Sequence, residues 1–331
     1  MTEWQKFFLI RFPLAVLAVA LVVEVAASLL HGVTLHRHNV DDLANAVAHD
    51  NRPYKVVLLG DSVTHNVAHK YRIGDADEVA DLTTHAFAGL PSSMFLLQRY
   101  LVSGHRPQHV VMAVSRGIFV QPMDKGMFAY YVSSVFTHAD EREFLKKYYA
   151  DYVDYRWRPA ALSATTRIGE PLFSLLRHPG DAIWAAPDSP APKPVLEQFA
   201  DDRDENVFND RVKETTTIRP EARAVLESVC SLSKRFGFHL HLLWAPMDSR
   251  LHAALQANGN LQRIDAQLPE IFTECQSLVT VNDTSATQEY PYFDRGLIHI
   301  KGLGWEQQYA LQLASFIHGF QAPAVPAADP R

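Results

Sequence analysis

Five short apolar runs punctuate the chain, with amphipathic stretches between them. The first is Lys55-Val56-Val57-Leu58-Leu59, ended by Gly60. It shows no polar alternation, which predicts a strand covered on both faces. Residues 81–85, 109–114, 238–244 and 278–281 predict four further strands. Helical spacing marks residues 40–49, 92–103, 220–236, 261–275 and 304–320. Strands that alternate with helices argue a parallel sheet with helices on both faces. The expected fold class is therefore α/β, a three-layer α/β/α sandwich on a mostly parallel five-stranded sheet. Right-handed crossovers then put functional loops at the carboxyl ends of the strands.

Two regions break this rhythm. Residues 12–30 read FPLAVLAVALVVEVAASLL. As a helix this stretch rises about 28 Å, close to the thickness of a hydrocarbon core. Lys6 and Arg11 precede it, and Trp4, Phe7 and Phe8 stand where an interfacial belt would lie. The expectation is one N-terminal transmembrane helix with a cytoplasmic N-terminus, inserted in the inner (cytoplasmic) membrane. The rest of the chain then lies on the periplasmic, extracytoplasmic side. A signal peptide cleaved near Val25-Ala26-Ala27 is the competing reading, and it exports the same residues. Glu24, close to the outer end of the span, is expected to reach water. The second break, residues 118–219, reads as an insertion over the top of the sheet. It holds a Tyr-rich helical stretch, 141–157, and a Pro-rich one, 185–194, where no regular helix or central strand can form. The organisation expected is thus an anchor at 1–35, an α/β domain at 36–320 carrying that insertion, and a flexible tail at 321–331.

Composition narrows the function classes. With 47% hydrophobic and 21% charged residues among 331, the chain is neither disordered nor fibrous. A net charge of -6 without a basic block argues against nucleic acid as a partner. Cys230 and Cys275 are too few for a disulfide framework or a thiolate zinc site, but an oxidising compartment would allow them to pair. His239 and His241 share one strand face without a third ligand nearby, so no metal is expected. No cofactor is expected either, since Lys301-Gly302-Leu303-Gly304 lacks the spacing of a phosphate loop. Tyr148, Tyr152 and Tyr155 fall at i, i+4 and i+7, which suits a helix packed through that face better than a platform for sugar rings.

Chemistry is concentrated at two places far apart in sequence. Gly60-Asp61-Ser62 follows the first strand and opens a helix-compatible segment. There Ser62 would sit where backbone N–H groups and the helix dipole stabilise negative charge, as a nucleophile needs. A serine hydroxyl also requires a base, and the base an orienting carboxylate. His299 and Asp294 supply both in the loop before the last helix.

Together these two elements resemble the GDSL, or SGNH, hydrolase superfamily. The resemblance implies a flavodoxin-like sandwich, with Ser62 as nucleophile, His299 as general base and Asp294 as orienter. The family spaces its Asp three residues before its His, a position held here by Gly296, so Asp283 is the fallback. Gly89, after the second strand, matches the glycine whose N–H completes the oxyanion hole with that of Ser62. The family's Asn side-chain donor after the third strand is missing, and the resemblance implies Arg116, or Ser115, in its place in the oxyanion hole. The anchor and the His-Ile-Lys-Gly-Leu-Gly-Trp ending are similar to membrane-anchored acyl-transfer proteins, including the D-alanyl-transfer protein of teichoic acid modification and the alginate O-acetylation proteins. That likeness implies an O-acyltransferase acting on a cell-surface or secreted polysaccharide, with a multi-pass membrane-bound O-acyltransferase as partner. A carbohydrate esterase of the same fold, and a non-catalytic partner that binds glycan or a membrane protein, are the alternatives.

Overall fold

The apolar VVLLG run forms β1 (Val56–Gly60), buried at every position. A computed structural model describes residues 4, 7–16, 18–19, 39–49, 52–73, 79–84, 88–123, 125–133, 135–153, 205–213, 216–283, 300 and 303–320. The helix α1 (Asn39–His49) precedes β1, and α2 (Ser62–Lys70) follows it. Then come β2 (Val79–Asp81), α3 (Gly89–Val102) and β3 (His109–Val114). The later elements are α4 (Ala139–Tyr148), α5 (Pro220–Phe236), β4 (His239–Trp244), α6 (Ser249–Ala257), α7 (Asn260–Asp265), β5 (Val279–Asp283) and α8 (Leu303–His318).

The strands form one sheet in the order β2-β1-β3-β4-β5, and every pair is parallel. Gly60 lies opposite Ala113, so β1 ends one residue short of the end of β3. Chain order reverses between these two strands, which opens a crevice at their carboxyl ends. Side chains alternate across the sheet. Val57, Leu59, Val110, Met112, Leu240 and Leu242 enter the core under α1, α3 and α5. Val56, Leu58, Val111, Ala113 and Leu243 enter the other core with Val63, Val67, Leu251, Tyr309 and Leu313 of α2, α6 and α8.

Three expected elements are displaced, each for a local reason. The second strand ends at Asp81, because that carboxylate bends back to accept from Thr83 N at 2.9 Å and Thr83 Oγ1 at 2.7 Å. Leu82 N and Thr84 N still donate to Leu58 O and Gly60 O, so the chain stays beside β1. The helix expected at 261–275 breaks into α7, a turn at Leu268–Ile271 and a tighter turn at Thr273–Leu278. Pro269 lacks the N–H and clashes with the preceding turn. The Tyr-rich stretch breaks at Tyr149, which turns inward with Tyr152. Both are buried, with ring centroids 5.0 and 5.1 Å from Phe128. Tyr155 lies outside the described residues. Part of the expected insertion, up to Val153, is among the described residues. Phe119, Phe128, Val132, Phe136, Leu145 and Tyr149 extend the core beneath α3 and α5.

Cys230 on α5 is bonded to Cys275, with their Cα atoms 5.7 Å apart. By contact the chain divides into two units, Met1–His38 with Asp154–Gln198, and Asn39–Val153 with Phe199–Arg331. In the first, Phe7–Arg11 is helical, and the ring of Phe7 lies 5.3 Å from that of Phe8. Among the described residues, no helix is long and apolar enough to cross a membrane. Most of the span read at 12–30, and the tail at 321–331, lie outside them.

Candidate active site

Ser62 is the first residue of α2, at the carboxyl end of β1, and is 5% exposed. The turn before it is fixed by Asp61. Its Oδ1 accepts from Val63 N at 3.1 Å and so caps the helix. Its Oδ2 accepts from Ser115 N at 2.7 Å and Ser115 Oγ at 2.6 Å. One buried carboxylate therefore ties the turn before α2 to the end of β3. A Cβ on Gly60 would lie 2.7 Å from Thr64 Cβ and 2.9 Å from Ala113 O, so only glycine fits between α2 and β3. Thr64 Oγ1 donates to Ala113 O at 2.8 Å and accepts from Tyr309 Oη at 3.0 Å. Through this contact α8 is docked on α2. Lys70 pairs with Glu306 to reinforce it.

Gly89 opens α3 with φ +61°, a conformation that favours glycine. Its own would-be Cβ would also strike Met123 Sδ at 2.5 Å. As the first residue of a helix it has an N–H outside the intrahelical ladder. The two residues that stand where the family has Asn serve different partners. Ser115 reaches Asp61, whereas Arg116 turns toward β4 and β5. The Arg116 guanidinium is 3% exposed and lies 4.6 Å above the Trp244 ring. Its Nε donates to Asp265 Oδ1 at 3.4 Å. Its Nη2 donates to Asp265 Oδ2 at 3.1 Å and Asp283 Oδ2 at 2.7 Å. His252 faces the same group. Burial lowers its pKa, the Asp283 charge opposes that shift, and the Arg116 charge adds to it.

His299 and Asp294 lie outside the described residues. Ile300, next to His299 in sequence, is buried in the cluster that holds Val63 and Tyr309. Asp283 ends β5 on Arg116. Sequence reasoning missed the links from Asp61 to Ser115 and from Thr64 to Tyr309, which join residues 54 and 245 positions apart. It also missed a chain of polar contacts beside Ser62. His65 Nδ1 lies 3.1 Å from Thr83 Oγ1, which in turn meets Asp81. His65 stands three residues after Ser62, a spacing that alone signals a shared helix face.

No protein-family model and no curated protein matches the chain. Among solved structures the chain is similar to a protein from Streptococcus pneumonia described as a "putative platelet activating factor". That likeness covers 89% of this chain and 98% of the other, at 12% identity and a TM-score of 0.41. The reading of the site thus rests on the chain's own residues.

Proposed function

We propose that the chain is an exported, membrane-anchored serine O-acyltransferase acting on a cell-surface or secreted polysaccharide. Ser62 attacks the carbonyl of an acyl donor and His299 takes its proton. The bond from the acyl carbon to the donor's leaving group then breaks, His299 passes the proton to that leaving group, and Asp294 orients the imidazole throughout. The amides of Ser62 and Gly89 stabilise the oxyanion. A glycan hydroxyl then attacks the acyl-serine while His299 takes its proton, the ester bond to Oγ breaks, and His299 passes that proton to Oγ. The observation that carries this reading is the placement of Ser62. It is buried at the head of α2, in the crevice between β1 and β3, on a turn held by the shared Asp61 carboxylate. Arg116, engaged by Asp265 and Asp283, holds the ends of β3 and β5 together.

The Cys230–Cys275 bond suits an oxidising compartment outside the cytoplasm. Exposed Trp4, Phe8, Phe12 and Val19 suit a membrane anchor. A multi-pass membrane-bound O-acyltransferase that delivers the acyl group is the partner this reading calls for.

An activated fluorophosphonate tests the proposal on the full chain in detergent, with the adduct located by mass spectrometry. Labelling at Ser62 that disappears in Ser62→Ala and His299→Ala is the expected result. Absence of adduct, under conditions that label a control serine hydrolase, overturns it in favour of a non-catalytic binding partner. A carbohydrate esterase would release the acyl group to water as fast with added oligosaccharide as without.

A further inference from the structure

Met123 rests on the residue whose amide the proposed mechanism gives to the oxyanion. A Cβ built on Gly89 would lie 2.5 Å from Met123 Sδ and 2.7 Å from its Cε, so the thioether tip touches the Gly89 backbone. The chain brings it there from the carboxyl end of β3. A helical turn, Gly117–Val120, follows that strand, Gln121 N donates to Gly117 O at 2.9 Å to end it, and Met123 comes two residues later. The side chain is partly buried against the core that holds Leu90, Phe119 and Ala222.

Met123 also borders a recess of about 20 Å³, which it lines together with Leu90, Ile118, Tyr149 and Ala222. That is room for about one water molecule. Arg219 and Glu221 line it too, but they pair with each other at 2.5 Å and bring no net charge to it. One flexible thioether thus has the Gly89 backbone on one hand and a small, mainly apolar hollow on the other. An oxyanion held by the Gly89 amide lies about 2.9 Å from that nitrogen. The carbonyl carbon is one bond beyond the oxygen, and the chain starts one bond beyond that, in the space the thioether borders. A long chain must push Met123 aside, and the recess has no volume to receive it. With the thioether gone, its space joins the recess and gives such a chain an apolar bed.

We infer that Met123 is the specificity-determining residue for the acyl group, closing the acyl side of the site to all but short chains of acetyl size. The inference rests on the acyltransferase reading, since it takes the Gly89 amide as an oxyanion donor.

The p-nitrophenyl esters of acetate, butanoate and hexanoate, given to the full chain in detergent, test it. In each, the bond from Oγ to the acyl carbon forms, the bond to the p-nitrophenol oxygen breaks, and His299 carries the proton from one oxygen to the other. The burst of p-nitrophenol measures acylation, and mass spectrometry locates the acyl group on Ser62. The parent is expected to acylate at least about tenfold faster with acetate than with hexanoate. Met123→Ala should raise the hexanoate-to-acetate ratio about tenfold, whereas Met123→Leu, of similar volume, should keep the parent's ratio. Adding Ala222→Leu to Met123→Ala refills the hollow and should lower the ratio again, a reversal that loosened packing alone would not give. Should Met123→Ala fail to fold, Met123→Val is the second variant, with a rise of about threefold expected. A parent that takes hexanoate as fast as acetate overturns the inference and leaves the acyl chemistry intact. So does a ratio unmoved in the Ala and Val variants while Ser62 is acylated. If neither an ester nor the fluorophosphonate modifies Ser62, the acyltransferase reading falls, and the role of Met123 falls with it.

Discussion

The two ends of the sheet solve the problem of buried polar groups in opposite ways. At the carboxyl end, charge is kept and paired. Asp61 accepts three hydrogen bonds, and Arg116 spans Asp265 and Asp283 above the Trp244 ring. At the amino end, charge is suppressed. His109 Nδ1 meets His241 Nε2 at 3.0 Å, and His241 Nδ1 meets Thr280 Oγ1 at 2.7 Å. Phe320 stacks on both rings, at 4.5 and 4.2 Å. Burial, with His109 and His239 adding to it, pushes the His241 pKa down to about 4. Fixed charges in a partly dry crevice are useful where a reaction develops charge. Neutral imidazoles merely have to pack. Under the proposed function, this contrast singles out the carboxyl end of the strands as the one suited to chemistry.

Breaking the covalent tie between α5 and the turn before β5 should have the largest effect on the fold. Reduction of Cys230–Cys275, which closes a separation of 45 residues, is expected to remove about 4 kcal/mol in the chain-entropy treatment. Urea unfolding with and without reductant measures it. At the carboxyl end, Asp61→Asn keeps the shape but presents an N–H to one of its three donors. A loss of about 2 kcal/mol is expected by denaturant titration, together with a larger fractional loss of Ser62 labelling. An Asn variant that labels as fast as the parent would show that the charge at this end is dispensable. The amino end should give the smallest effect, and only in acid. The folded pKa of His241 lies below its unfolded value, so the unfolded chain binds more protons between about 6.5 and about 4. Stability should therefore fall as pH drops through that window and stay flat above it. His109, lowered by burial, acts in the same direction. His241→Asn should flatten the acid limb of a melting curve recorded against pH.

Much of the fold was legible because strand and helix periods are local. β3 begins and ends where the apolar run does, and α5 fills the whole stretch from Pro220 to Phe236. Where the reading slipped, a single side chain redirected the backbone. Asp81 ended β2 early, and Pro269 cut a helix into turns. The placement of Ser62 between β1 and α2 was legible for the same reason, since an apolar strand, a glycine and a capping aspartate are neighbours in sequence. Its supporting contacts were not. Arg116 finds Asp265 and Asp283 across 149 and 167 positions, and no periodicity encodes such a meeting.

The Tyr309–Thr64 contact ties together two helices that lie 245 positions apart. Replacing the phenol by Phe removes one tie between α8 and α2 while Thr64 keeps its bond to Ala113 O. A fault far downstream in sequence is thus felt by the helix that begins at Ser62.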